Sequence, residues 1–93
     1  MSRLSGISVS TTWDPASIGD DAEAEVDVTV PGAKLGDMAF VSLEVDTQDL
    51  VISAAVTAAN TVTVVLANTG GSARDLASHT VNVKVVPKDA FFN

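Results

Sequence analysis

The feature that most limits the fold is the stretch Leu50 to Asn68, LVISAAVTAANTVTVVLAN. Two runs rich in valine and isoleucine flank the small, polar centre Ala58-Ala59-Asn60. Each run is long enough for a strand and too short for a good helix. Val62, Val64 and Leu66 alternate with Thr61, Thr63 and Val65, the period of a pleated ribbon with one face towards a core. Asn60 tolerates the left-handed backbone of a tight return. The stretch reads as an antiparallel hairpin and as the central ribbon of a β-sandwich.

The same period recurs along the chain. Ala22, Ala24, Val26, Val28 and Val30 point one way, and Glu23, Glu25, Asp27 and Thr29 the other. Apolar-in and acidic-out is the mark of a half-solvated antiparallel strand. Ile7, Val9 and Thr11 alternate with serines and Thr12 up to Trp13, a strand or an extended arm that Asp14-Pro15 ends. Met38 to Asp46 is another strand, with Phe40, Ser42 and Glu44 on its outer face. Thr80 to Val86 is the last, with Val81, Val83 and Val85 inward and Pro87 as its stop. Pro31-Gly32, Thr47-Gln48-Asp49 and Asn68-Thr69-Gly70-Gly71-Ser72 are the breaks between them. Arg74 to Ser78 is compatible with a helical turn or a loop. Six strand candidates about ten residues apart predict an all-β domain: a small antiparallel β-sandwich or jelly-roll-like barrel of about six to eight strands. Residues 1–12 form an N-terminal arm or edge strand, and residues 88–93 a tail.

A chain of 93 residues is one domain. At this size it buries about 60–65% of its unfolded surface, so its stability is modest unless copies associate. It contains no cysteine to brace the fold or bind metal. The formal charge of −7 disfavours nucleic acid and anionic membranes as partners, because the basic residues Arg3, Lys34, Arg74, Lys84 and Lys88 are scattered. The N-terminal MSRLSGISVS lacks the apolar core of a signal peptide, and no apolar run approaches a membrane span. The expectation is a complete, soluble chain made in the cytoplasm.

Chemistry-bearing residues are few. His79, beside Ser78 and near Asp75, sits on an extended segment whose side chains do not converge as a triad does. It reads as a surface or strand-end residue, and the chain as a non-enzyme with no cofactor. The carboxylates of Glu23, Glu25 and Asp27 lie in a row, whereas calcium needs convergent oxygens. Asp20 and Asp21 with Asp14 or Asp49 converge only if their loops meet, so no metal site is assigned. Gly70-Gly71 has no adjacent lysine and reads as a turn.

Three pieces resemble a group of small tailed-phage virion proteins, and also a module of phage head-fibre and tail-fibre proteins. They are Val28-Thr29-Val30-Pro31-Gly32-Ala33 closed by Leu35-Gly36-Asp37; Ala58 to Val64; and Asn68-Thr69-Gly70-Gly71 followed by Asp75-Leu76-Ala77-Ser78 and the final valine strand. Most of these residues are turn formers and core valines. The resemblance implies a decoration (cement) protein on the outer surface of an assembled capsid. Its partner is then the major capsid protein, its assembly a homotrimer, and its place the virion after synthesis in the host cytoplasm. The alternative is a receptor- or glycan-binding tip of a phage head or tail fibre.

The interface candidates lie towards the ends of the chain. Phe91 and Phe92 either fold back as a plug or anchor a subunit or capsid contact. Trp13 has the same two readings and leans towards the core. Arg3, Leu4 and Ile7 belong to the stretch Met1 to Ser10, which is either a frayed terminus with an edge strand or an arm that orders on binding, by adding a strand to a neighbour. Arg3 suits an acidic groove.

Overall fold

A computed structural model describes residues 6–90. Its strands are β1 Ile7–Trp13, β2 Glu23–Thr29, β3 Met38–Leu43, β4 Val51–Ala58, β5 Thr61–Ala67 and β6 His79–Val86. They form two three-stranded sheets, ordered β1-β6-β3 and β2-β5-β4, with every pairing antiparallel. The sheets pack face to face, so the molecule is a β-sandwich. Among the described residues each sheet has two edges without a strand partner, which separates it from the closed barrel that the alternation also allowed.

The centre of each sheet carries the core. On β5, Val62, Val64 and Leu66 are fully buried, as are Val81 and Val85 on β6. The four valines meet Val28, Val30, Ala33 and Val56 in one cluster. Each valine taken out of water contributes about 1.5–3 kcal/mol. A second cluster of Ile18, Leu50, Leu66 and Leu76 closes one end of the sandwich. There the loops after β1 and β5 are bound by a two-way backbone bridge, Ile18 N to Arg74 O at 2.7 Å and Arg74 N to Ile18 O at 2.9 Å.

Two asparagines fasten the ends of β5. Asn60 sits at the hairpin tip with φ 64°. Its backbone N–H donates to Ala33 O, and its side-chain oxygen accepts from Gly32 N at 2.8 Å. Gly32 has φ +94°, and a β-carbon there would lie 3.0 Å from the Ile7 side chain, so the Pro31-Gly32 turn needs glycine. Buried Asn68, at the other end, donates to Ile18 O and Ser72 O and accepts from Gly70 N.

Several expectations need correction. The hairpin is real, but only β5 is central; β4 pairs with β5 alone among the described residues, because β2 takes the other side of β5. Of the two readings of residues 1–12, arm or edge strand, the edge strand is found over residues 7–12: β1 pairs with β6 from Ile7↔Val85 to Trp13↔His79. The strand starting at Met38 ends at Leu43, short of Asp46. Beyond it Asp46 Oδ1 accepts from Gln48 N, and Gln48 and Asp49 both take positive φ. Of the two readings of Arg74 to Ser78 the loop is the one found, with Arg74 held in the bridge to Ile18. In the tail, Lys88–Ala90 is a short 3-10 turn whose Lys88 N donates to Asp37 Oδ1 at 3.1 Å. Asp37 is buried, and its other oxygen accepts from Lys34 N.

Candidate binding surface

The side chains that face away from the core make two unlike plates. On the sheet β2-β5-β4 the outer columns run Glu23, Glu25, Asp27 on β2; Thr63, Val65, Ala67 on β5; and Val51, Ser53, Ala55 on β4. Cross-strand register joins them in rows: Glu23–Ala67–Val51, Glu25–Val65–Ser53 and Asp27–Thr63–Ala55. One margin is thus acidic, and the rest is a flat field of small, uncharged side chains. Val51 is 56% exposed. No charged residue occurs between Asp49 and Arg74.

A hydroxyl chain crosses this plate. Thr63 Oγ1 donates to Asp27 Oδ1 at 2.7 Å. Its single proton is then spent, so Thr57 Oγ1 must be the donor in the 2.8 Å Thr57–Thr63 contact. Thr57 itself sits where the β4–β5 register shifts, between Val56 and Ala58. That irregularity is a bulge on an edge strand.

The outer plate of β1-β6-β3 is polar. Asn82 is its hub: its oxygen accepts from Ser10 Oγ at 2.7 Å, and its amide donates to Glu44 Oε2 at 3.0 Å and Ser42 Oγ at 3.3 Å. In the next row, Ser8–Lys84–Phe40, the Phe40 ring is 55% exposed.

Charge is also divided along the strands. Asp14, Asp20, Asp21, Glu44, Asp46, Asp49 and Asp75 gather at the end closed by Leu50 and Leu76, where Arg74 is the one base among the described residues. At the end that holds the Asn60 turn and Pro87, Lys34, Lys84 and Lys88 outnumber Asp37 and Asp89. The domain is therefore electrically polar from end to end.

The interface candidates are not brought together. Ile7 and Trp13 open and close β1, about 20 Å apart at the strand rise. Both are half-buried and packed on the core, and Trp13 touches both clusters. Arg3, Leu4, Phe91 and Phe92 lie outside the described residues. His79 does open a strand, but it is buried at 7% exposure, not on the surface. Its Nδ1–H donates to Ala77 O at 2.7 Å, and its ring lies 6.2 Å from that of Trp13. Parity along β6 would have found this, since His79 shares a face with Val81, Val83 and Val85. Among the described residues no three His, Asp or Glu side chains gather to hold a metal ion. The alternation along residues 61–66 marks the face towards the core and does not by itself single out the uncharged field on the other face of β4 and β5. The run without charge was its signal.

No family model matches the chain, and neither a curated protein nor a solved structure matches it.

Proposed function

We propose that the protein is a phage decoration protein that lies against the outer surface of an assembled capsid and braces neighbouring capsomers. One observation carries the reading in the geometry: the uncharged plate of Val51, Ser53, Ala55, Val65 and Ala67 on a domain whose formal charge is −7. Small side chains on a flat sheet suit broad contact with another protein, with desolvation of few polar groups. The phage assignment comes from the motif resemblance. Mechanically, linked copies that each make a modest contact hold far more tightly than one, because later contacts are intramolecular. A clamp of this kind slows the separation of capsomers. The acidic surface keeps the free protein soluble.

A second reading has its own observation. Phe40 stands exposed beside the Ser10–Asn82–Ser42 row, a ring with neighbouring hydrogen-bonding groups that suits a sugar. That is the glycan-binding fibre tip. Cosedimentation with empty expanded capsids, set against adhesion to host cells, separates the two. Decoration requires sedimentation with capsids that Val65→Asp removes and Phe40→Ala leaves intact. Adhesion to cells that Phe40→Ala removes, without capsid binding, defeats it.

A further inference from the structure

We propose that the free edge of β4 is a self-association seam, pairing antiparallel with β4 of a second copy about a two-fold axis at Ser53. Among the described residues β4 is hydrogen-bonded on one side only, to β5. An open edge presents alternate N–H and C=O groups to any strand that can approach. Natural edges are commonly defended by charge, and β2, the other edge of this sheet, carries Glu23, Glu25 and Asp27. β4 has no charged residue along its length.

Two observations select a second copy as the occupant. The first is charge. β4 begins at the acidic end of the domain and finishes at the lysine end. An antiparallel partner is reversed, so each acidic end lies beside the other copy's lysine end. The second is the position of the acidic columns. In the joined sheet β2-β5-β4-β4-β5-β2 they occupy the two outer margins. Five strand spacings separate them, about 24 Å, against a Debye length of about 8 Å at physiological salt. The seam is therefore spared the like-charge contact that pairing through β2 would create. An antiparallel edge is also self-complementary about a two-fold axis, since each copy offers the same donors and acceptors in reverse order.

The bulge sets the register. Opposed residues in an antiparallel pair share a face, and the shift after Val56 spoils pairing beyond it. Centring on Ser53 satisfies both conditions. Ser53 then meets Ser53 of the second copy, Val51 meets its Ala55, and Ile52 meets its Ala54. Ile52 and Ala54, half-buried in one copy, gain cover from the other. The uncharged plate doubles in width.

This goes beyond the proposed function, which uses the face of the sheet and not its edge. It also sets the copy number at two, where the motif resemblance implies three. A single strand seam is narrow beside the roughly 1,600 Å² of a standard interface, so the dimer is weak and reversible. Sedimentation equilibrium on the full chain from about 1 μM to about 1 mM, the range of weak to moderate affinities, should show a monomer passing to a dimer. The chain has no cysteine, so Ser53→Cys is a clean probe. Opposed Cα atoms in such a pair lie about 4.5–5.5 Å apart, within the roughly 4.4–6.8 Å that a disulfide spans. Mild oxidation should link Ser53→Cys as a dimer and leave Thr12→Cys, exposed on β1, monomeric. Ser53→Lys should abolish the dimer without moving the thermal midpoint of the dilute protein. A monomer throughout the range, a trimer, or equal linking of Thr12→Cys overturns the seam. A dimer that ignores capsids keeps the seam and defeats the decoration reading; a monomer that sediments with capsids does the reverse.

Discussion

The strands β2 and β4 flank β5 on opposite sides and differ in almost everything but their inward faces. Both turn alanine and a branched residue inward: Ala24, Val26 and Val28 on β2, Ile52, Ala54 and Val56 on β4. Only the last of each set is buried. Outward, one is acidic and the other uncharged. They are also held differently. β4 arrives by a local hairpin. β2 comes from a distant part of the chain and is fastened at both ends by the asparagines of β5: Asn68 N donates to Ala22 O, Asp21 N to Asn68 O, and Val30 N to Asn60 O. The lesson is a division of labour across the pleat. Inward residues decide that a strand joins the sheet, and outward residues decide what that strand does next.

The largest disturbance should come from the residue both edges lean on. Val64→Asp puts an unpaired carboxylate in the core, a cost of several kcal/mol against a total stability of about 5–15 kcal/mol. Circular dichroism should show loss of the β spectrum for both sides of the sheet at once. Retention of a folded spectrum would mean that β5 is not the shared support.

Next in size is Asn68→Ala, which strips the side-chain ties around the entry to β2 and leaves β4 untouched. Three hydrogen bonds are lost, although Ile18 O still accepts from Arg74 N, so the loss should be about 2–3 kcal/mol, read as a lowered urea midpoint with unchanged slope. Amide exchange should quicken around residues 18–22 more than around β4; uniform acceleration would erase the proposed asymmetry.

Thr63→Val cuts the hydroxyl chain from Thr57 to Asp27. On an exposed plate the effect should be small, about 0.5–1 kcal/mol. Smallest of all should be an exchange of outward character, Glu25→Ser or Ser53→Glu. Each should move stability by no more than about 0.5 kcal/mol. Light scattering should still respond: Glu25→Ser raises self-association, and Ser53→Glu lowers it. A stability change as large as that of Asn68→Ala would show that the outer columns help to specify the fold.

Much of this architecture was legible locally. The alternation of Glu23 to Val30 and of Val81 to Val85 fixed which side chains face inward, and Asn60 marked the hairpin tip. Strand neighbours were not legible, because four of the five connections change sheets and the only local pairing is β4 with β5. Nothing within residues 50–58 says that β4 has an open side. That follows from β2 having taken the far side of β5. The burial of His79 is local information: the inward parity of Val81, Val83 and Val85, carried back past Thr80, puts His79 on the buried face. The Asp37 contact with Lys88 joins residues far apart in sequence, and only the folded chain brings them together.

The pairing of β1 with β6 has a mechanical consequence. Ile7 lies opposite Val85, so the two ends of the described chain emerge side by side from one pair of strands. Tension applied through those ends would load the hydrogen bonds one after another, like a zip, and part the strands at low force. Tension applied sideways, from one sheet edge to the other, would be shared across many bonds. A protein built this way withstands stress when it is gripped by its flanks, and it gives way when it is pulled by its ends.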